Sequence, residues 1–205
     1  MPSYDNYTTI IDEHDEQVSQ PEIMRIPLKD HQLSIIYQAL KLESGNYVIN
    51  NETLNTIVGI LCDKPGAGKS YVALSLLENP INRITDITYT SGHFYITKPH
   101  EPANSNLLVV PCGIYDQWIN YLGNTTIDFH ECSIENGIDL EKTLNIIRCT
   151  DYKKMSQRSN RGIYQFHTNN IFNRVIFDEV DSISIPNCPT VNASFYWFIS
   201  ANISE

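Results

Sequence analysis

Thr56 to Ser70, T-I-V-G-I-L-C-D-K-P-G-A-G-K-S, constrains this chain more than any other stretch. A short apolar run breaks at Asp63-Lys64-Pro65-Gly66 and resumes after Gly68-Lys69-Ser70 as Tyr71-Val72-Ala73-Leu74-Ser75-Leu76-Leu77, which has helical character. Strand, glycine loop, helix is the order in which a Gly-Lys-Ser signature marks a phosphate-binding loop. Gly66 and Gly68 supply backbone that can adopt positive φ and turn its N–H groups toward phosphate oxygens. The helix opening near Lys69 adds unpaired N–H groups and the positive end of its dipole. Lys69 is placed to reach the β- and γ-phosphates, and the Ser70 hydroxyl to ligate magnesium. The general pattern asks for glycine where the chain has Asp63, so a strict match fails at its first position. On this loop alone, an ordinary Gly/Pro-rich turn followed by a lysine stays open.

The chain has 205 residues, 41% hydrophobic and 19% charged, which suits one sizeable globular domain or two small ones. No apolar run approaches the length of a membrane span, and Met1-Pro2-Ser3-Tyr4-Asp5 lacks the basic and apolar parts of a signal peptide. The expectation is an intracellular protein with no membrane partner. Cys62, Cys112, Cys132, Cys149 and Cys188 are scattered without C-x-x-C spacing, which favours neither a disulfide framework nor a zinc site. Cys62 and Cys149, at the ends of expected strands, read as small core residues.

A net charge of -10 argues only weakly against a polyanionic partner, because its distribution is uneven. Asp5, Asp12, Glu13, Asp15, Glu16 and Glu22 all precede the first basic residue, Arg25. Residues 1–22 therefore read as an acidic, mobile or peripheral arm, and residues 23–205 as the folded body. Arg148, Lys153, Lys154, Arg158 and Arg161 form a local basic stretch, which fits a solvated loop as well as a binding surface.

Past Pro27, apolar residues at Leu33, Ile36, Tyr37 and Leu40 have helical spacing, with Lys29-Asp30-His31-Gln32 at the mouth of the helix. Glu43 to Asn55 reads as a second helix or a loop. Residues 80–105 read as a peripheral insertion, with a hairpin around Ser91-Gly92 and a breaker cluster from Pro99. Leu107-Leu108-Val109-Val110 has the uninterrupted apolar pattern of a strand buried on both faces, followed by a helix with Tyr115, Trp118, Ile119 and Leu122 on one side. Trp118, Trp197 and Tyr196 read as core aromatics. Further strands are expected at Asn145 to Thr150, Arg174 to Asp181 and Phe195 to Asn202, with a helix from Tyr152. Strands alternating with helices predict an α/β fold, a doubly wound and mostly parallel sheet with helices on both faces and ligands at the carboxyl ends of the strands.

Val175-Ile176-Phe177 delivers Asp178 and Glu179 to the same sheet edge as the glycine loop. Asp178 is suited to hold magnesium, directly or through water, and Glu179 to polarise an attacking water. Taken alone, acids at a strand end are also a common solvated turn; the glycine loop on the same edge strengthens the functional reading.

With both features in hand, the chain resembles the superfamily 2 helicases and translocases, in particular their Swi/Snf-like branch. The phosphate loop of that branch reads D-x-x-G-x-G-K-[ST], and Asp63, Gly66, Gly68, Lys69 and Ser70 stand in register with it. Leu28 to Gln32 is similar to the segment whose glutamine reads adenine, which implies that role for Gln32. Leu107 to Trp118 is similar to motif Ia, and Cys149-Thr150-Asp151-Tyr152 to a threonine-tyrosine element beside the nucleic-acid track. Asp178-Glu179-Val180-Asp181 stands at the DEAD/DEAH position, with Asp where His is frequent. Ser200-Ala201-Asn202 stands at the Ser-Ala-Thr coupling motif, with Asn for Thr.

The resemblance implies the N-terminal RecA-like, ATP-binding lobe of a nucleic-acid-dependent ATPase, with ATP and Mg2+ as cofactors. Asp63, Lys64, Pro65, Gly66, Ala67, Gly68, Lys69, Ser70, Tyr71 and Gln32 would line the nucleotide. Lys69, Asp178 and Glu179 would be catalytic, Ser70 and Asp178 would hold the metal, and Ser200, Ala201 and Asn202 would couple the lobes. The implied partners are DNA or RNA and a second RecA-like lobe, in cis or trans, supplying an arginine finger. The loop wording and the Ile- and Asn-rich composition also resemble helicases of large DNA viruses, which would mean host cytoplasm or virion. Two other readings remain: a non-catalytic interaction protein retaining the fold, and another phosphate-loop NTPase.

Overall fold

Asn106–Val110 (β6) is buried at every position, as its unbroken apolar run requires. The structure, a computed structural model, describes residues 10–49, 51–82, 85–91, 94–100, 104–157, 172–183 and 191–201. In chain order the other elements are α1 (Asp30–Glu43), β1 (Tyr47–Ile49), β2 (Glu52–Leu54), β3 (Val58–Cys62), α2 (Lys69–Ser75), β4 (Thr85–Ser91) and β5 (Phe94–His100). After β6 come α3 (Tyr115–Leu122), β7 (Phe129–Cys132), β8 (Leu144–Arg148), α4 (Cys149–Gln157), β9 (Phe172–Phe177) and β10 (Ala193–Ser200).

Six strands form one sheet in the order β3-β10-β9-β6-β8-β7, and every neighbouring pair is parallel. On one face Ile36 of α1, Val72 and Leu74 of α2 and Trp118 of α3 pack against Leu108, Ile146, Ile176 and Phe195. On the other, Tyr152 of α4 packs with Leu107, Val109, Ile147 and Val175. This is the expected α/β arrangement, with helices on both faces of a parallel sheet. Gly59 has a packing role: a Cβ there would run into the Trp197 ring on the adjoining strand. Strand β3 lies at the sheet edge, where Val58 and Ile60 are exposed.

Several local expectations need correction. Glu43 to Asn55 is neither a second helix nor a plain loop: β1 and β2 pair as an antiparallel hairpin, Tyr47 opposite Leu54. Tyr47-Val48-Ile49 is rich in strand-favouring side chains, and Asn51 takes a φ of 65°, which asparagine tolerates better than most residues. Helix α4 starts at Cys149 instead of Tyr152, directly off β8. Phe129–Cys132, half-buried with a single fully buried residue, had no clear apolar signal and is nonetheless the edge strand beside β8. The expected hairpin is present as β4 and β5, but β5 continues through Pro99. Proline is tolerated on edge strands, and both strands of a two-stranded ribbon are edges.

Within the acidic stretch, residues 15–18 lie along α1: Val18 N donates to Leu33 O and Lys41 meets Glu16 at 3.5 Å. Asp5, Gly92, Arg158, Arg161, Cys188 and Asn202 lie outside the described residues. Among the described residues no helix is long and apolar enough to cross a membrane.

At the end of the sheet where β9 begins, Arg174 and Glu43 form a buried ion pair. Arg174 donates from Nε to Glu43 Oε1 and from Nη2 to Glu43 Oε2, both at 2.6 Å. Trp197 Nε1 donates to the same carboxylate at 2.8 Å, and Asn79 O accepts from Arg174 Nη2 at 2.7 Å. Every charged atom in this cluster is thereby hydrogen-bonded, as burial demands.

Candidate nucleotide-binding site

Three adjoining strands, β3, β10 and β9, end together at the opposite edge. Register sets Ser200 beside Cys62 and Phe198 beside Phe177, so the loop after β3, the Ser200-Ala201 end of β10 and the Asp178-Glu179 end of β9 converge. They enclose a cleft of about 340 Å³ whose wall includes Pro65, Gly66, Gly68, Lys69, Ser70, Tyr71, Asp178, Glu179, Ser200 and Ala201. Helix α3 closes it with Gln117, Trp118 and Tyr121. Asp63, Lys64, Ala67 and Gln32 do not line the cleft, and Asn202 lies beyond the described residues.

The loop is held from inside. Gly68 caps α2 at φ 87°, a left-handed conformation open to glycine, and a Cβ there would collide with the Gln32 side-chain nitrogen. Lys69 Nζ donates to Asp63 O at 2.5 Å and to Lys64 O at 3.0 Å, while Asp63 Oδ1 accepts from Lys64 N at 2.7 Å. Both acceptors of the ammonium are neutral carbonyls, and among the described residues Lys69 has no ion-pair partner. Its charge therefore stays available to a polyphosphate, a fit that the two positive-φ glycines reinforce.

Gln32 is buried and supports the loop with the nitrogen end of its amide. Its Oε1 accepts from Lys29 N at 2.9 Å, closing the first turn of α1, and its Nε2 donates to Gly68 O at 3.2 Å. His31 Nε2 lies 3.3 Å from Ala67 O. In this structure the α1 N-terminus underpins the glycine loop.

Asp178 is 7% exposed. Its Oδ2 accepts from Trp118 Nε1 at 2.6 Å and its Oδ1 from Glu179 N at 2.9 Å. Burial holds this carboxyl above the ordinary carboxylate range, an effect opposed by the indole N–H, the Glu179 amide and the Lys69 charge. Sequence reasoning placed Trp118 in the core, and it is 1% exposed, but its N–H also fixes one oxygen of the acid at the cleft. The available signal was chemical: a buried indole needs an acceptor.

Glu179 takes φ 46° and ψ 52°, left-handed values unusual for glutamate. Such a backbone costs about 1–2 kcal/mol in a residue with a Cβ, and asparagine bears it better. Glu179→Asn is expected to raise thermal stability by roughly 2–4 °C, whereas Glu179→Gln, which keeps the strain, should leave it unchanged. Calorimetry on both variants checks this; equal melting temperatures for Glu179→Asn and the wild type would remove the strain argument.

No family model matches the chain. Its sequence is 22% identical over 289 residues to a candidate helicase of Acanthamoeba polyphaga mimivirus, a match covering 95% of this chain and 34% of that protein. Its structure is similar to the SWI2/SNF2 ATPase core of Sulfolobus solfataricus, solved in complex with double-stranded DNA. The TM-score is 0.60 at 12% identity, over 92% of this chain and 35% of that one. The chain has the RecA-like α/β fold of that ATPase core, and the mimivirus likeness agrees with the helicase resemblance carried by its motifs. It spans about a third of the length of each of these two relatives.

Proposed function

We propose that this chain is the ATP-binding lobe of a nucleic-acid-dependent ATPase of the superfamily 2, Swi/Snf-like type. The observation that carries the reading is the meeting of Lys69 and Ser70 with Asp178 and Glu179 in one cleft, at the ends of adjoining parallel strands. In this reading the backbone of Asp63 to Ser70 cradles the polyphosphate and Lys69 turns its ammonium from loop carbonyls to phosphate oxygens. Tyr71, just inside α2, forms part of the wall. Ser70 and Asp178 are the groups to hold Mg2+, and Glu179 orients and polarises the attacking water. Bound magnesium would supply charge neutralisation at the transferred phosphoryl group. Gln32 positions the loop, with adenine as its implied contact, and Ser200, Ala201 and Asn202 connect the site to a second RecA-like lobe.

Nucleic acid, DNA or RNA, would cross the carboxyl edge of the sheet at the Pro111-Cys112-Gly113 turn and Thr150, chiefly through phosphates. The double-stranded DNA held by the archaeal structural relative supports this partner class. The same reading makes it an intracellular protein, and the mimivirus relative supports a viral setting.

Trp118→Phe keeps the aromatic packing and removes a hydrogen bond that favours the Asp178 carboxylate. The sign follows: less support for the charged form raises the folded pKa further, so the acid is neutral over a wider range at low pH. Magnesium-dependent nucleotide binding is expected to weaken several-fold at mildly acidic pH and less at alkaline pH, moving the acid limb upward. A pH series of nucleotide titrations checks this, and coincident profiles would free Trp118 from the role.

Catalysis needs an arginine finger from another lobe in this reading. The isolated chain should bind Mg·ATP yet hydrolyse it hardly above background in a single-turnover assay, with or without duplex DNA or RNA. Robust hydrolysis by the isolated chain would overturn the single-lobe assignment.

A further inference from the structure

Cys112 and Cys149 stand at the ends of neighbouring strands, on the edge where the phosphate loop also lies. Val110 pairs with Arg148 in the β6–β8 ladder, so Cys112 opens the turn two residues past β6 and Cys149 opens α4 directly past β8. Val110 and Arg148 lie on neighbouring strands about 4.8 Å apart, so the chain reaches Cys112 and Cys149 from adjoining strand ends; a disulfide needs Cα atoms about 4.4–6.8 Å apart. Cys112 Sγ lies 3.4 Å from the Oγ1 of Thr150, the residue that follows Cys149, which brings the two thiols to one place. Neither residue is expected to be a structural half-cystine from sequence spacing, and both are free thiols here.

Their environments differ in the way an attacking and a resolving thiol should. Cys112 is exposed, and its Sγ lies 3.4 Å from Thr150 Oγ1. The Thr150 hydroxyl above all, then the Thr150 backbone N–H in the first turn of α4 and the Arg148 guanidinium, favour its thiolate and lower its pKa against an opposing burial effect. Cys149 is half-buried, and burial pushes its thiol up. Cys132 provides an internal contrast: it is buried against Asn145 Oδ1 at 3.2 Å and pushed up to about 12.

We propose that Cys112 and Cys149 form a peroxide-sensitive dithiol that closes to a disulfide across the carboxyl ends of β6 and β8. The Cys112 thiolate attacks one oxygen of hydrogen peroxide; the O–O bond breaks, hydroxide leaves, and Cys112 becomes a sulfenic acid. Cys149 sulfur then attacks the Cys112 sulfur, the S–O bond breaks, and the departing hydroxide takes the Cys149 proton to leave as water. Two thiols supply the two electrons that reduce the peroxide, and a thiol reductant reverses the change. The bridge removes the Cys112–Thr150 contact and ties together the two segments proposed to meet nucleic-acid phosphates. Oxidation should therefore lower nucleic-acid affinity at least several-fold and leave Mg·ATP affinity unchanged. That consequence rests on the proposed function; the dithiol itself does not.

Peptide mapping of the peroxide-treated chain without reduction tests the dithiol, followed by duplex DNA binding before and after treatment. The expected result is a cross-linked Cys112–Cys149 peptide, lost on adding dithiothreitol, with Cys132 still a thiol. Cys149→Ser should trap Cys112 as a dimedone adduct, and Cys112→Ser should leave Cys149 unoxidised. A Cys112 driven to sulfinic acid beside a free Cys149, or a cross-link to another cysteine, overturns the proposal. The wild-type map decides this even where a serine variant folds poorly. A reversible cross-link with unchanged DNA affinity would keep the dithiol and sink its proposed control of nucleic-acid binding.

Discussion

Glu43→Ala is expected to destabilise the fold by about 3–5 kcal/mol, the cost of removing one member of a buried ion pair. Arg174 and Glu43 are 1% and 3% exposed, and the carboxylate accepts from Arg174 Nε, Arg174 Nη2 and Trp197 Nε1. Alanine would strand the guanidinium with Asn79 O and Asn173 Oδ1 as its remaining acceptors among those bonds. It would also leave the Trp197 N–H without its acceptor and open a void between α1, β9 and β10. For a chain of this size each kcal/mol shifts the melting temperature by about 2–4 °C, so a fall of roughly 10 °C is the expected reading. Replacing both partners with apolar residues of matched volume should recover much of that loss. Denaturant unfolding of Glu43→Ala within about 1 kcal/mol of the wild type would show that this pair does not hold α1 to the sheet.

The glycine loop between a strand and a helix was legible because its signal is local: Asp63, Gly66, Gly68, Lys69 and Ser70 are close in sequence, and each residue type has a backbone or charge reason to be there. The parallel strands were legible for a similar reason, since burial on both faces leaves an unbroken apolar run such as Leu107 to Val110. What escaped depends on partners far apart in the chain. Trp118 meets Asp178 across 60 residues and Arg174 meets Glu43 across 131, and neither pair has a spacing rule. Cys62 and Cys149 were read as core by their places at strand ends, but both are half-buried, and among the described residues the buried thiol is Cys132. The edge strand β7 was missed because an edge strand, half-buried, carries no continuous apolar run. The bond from the Gln32 amide to Gly68 O also escaped, since the packing of α1 on the loop sets it.

Lys69→Ala carries the second large expectation. Among the described residues its ammonium is bound only by the carbonyls of Asp63 and Lys64, so its loss should cost little stability. The same charge is the cleft's cation for a polyphosphate, and hydrogen bonds to charged groups contribute about 1.5–3 kcal/mol each. Affinity for Mg·ATP should therefore fall about 100-fold, at roughly 1.4 kcal/mol per factor of ten. Calorimetric titration of Mg·ATP into the wild-type chain and into Lys69→Ala, with melting curves to confirm that both are folded, is the most direct test of the nucleotide-lobe reading. The expected result is saturable one-to-one binding by the wild type and a near-complete loss in the variant. No binding by the folded wild type, or equal binding by both, would contradict it and favour a non-catalytic interaction protein on a helicase-like fold.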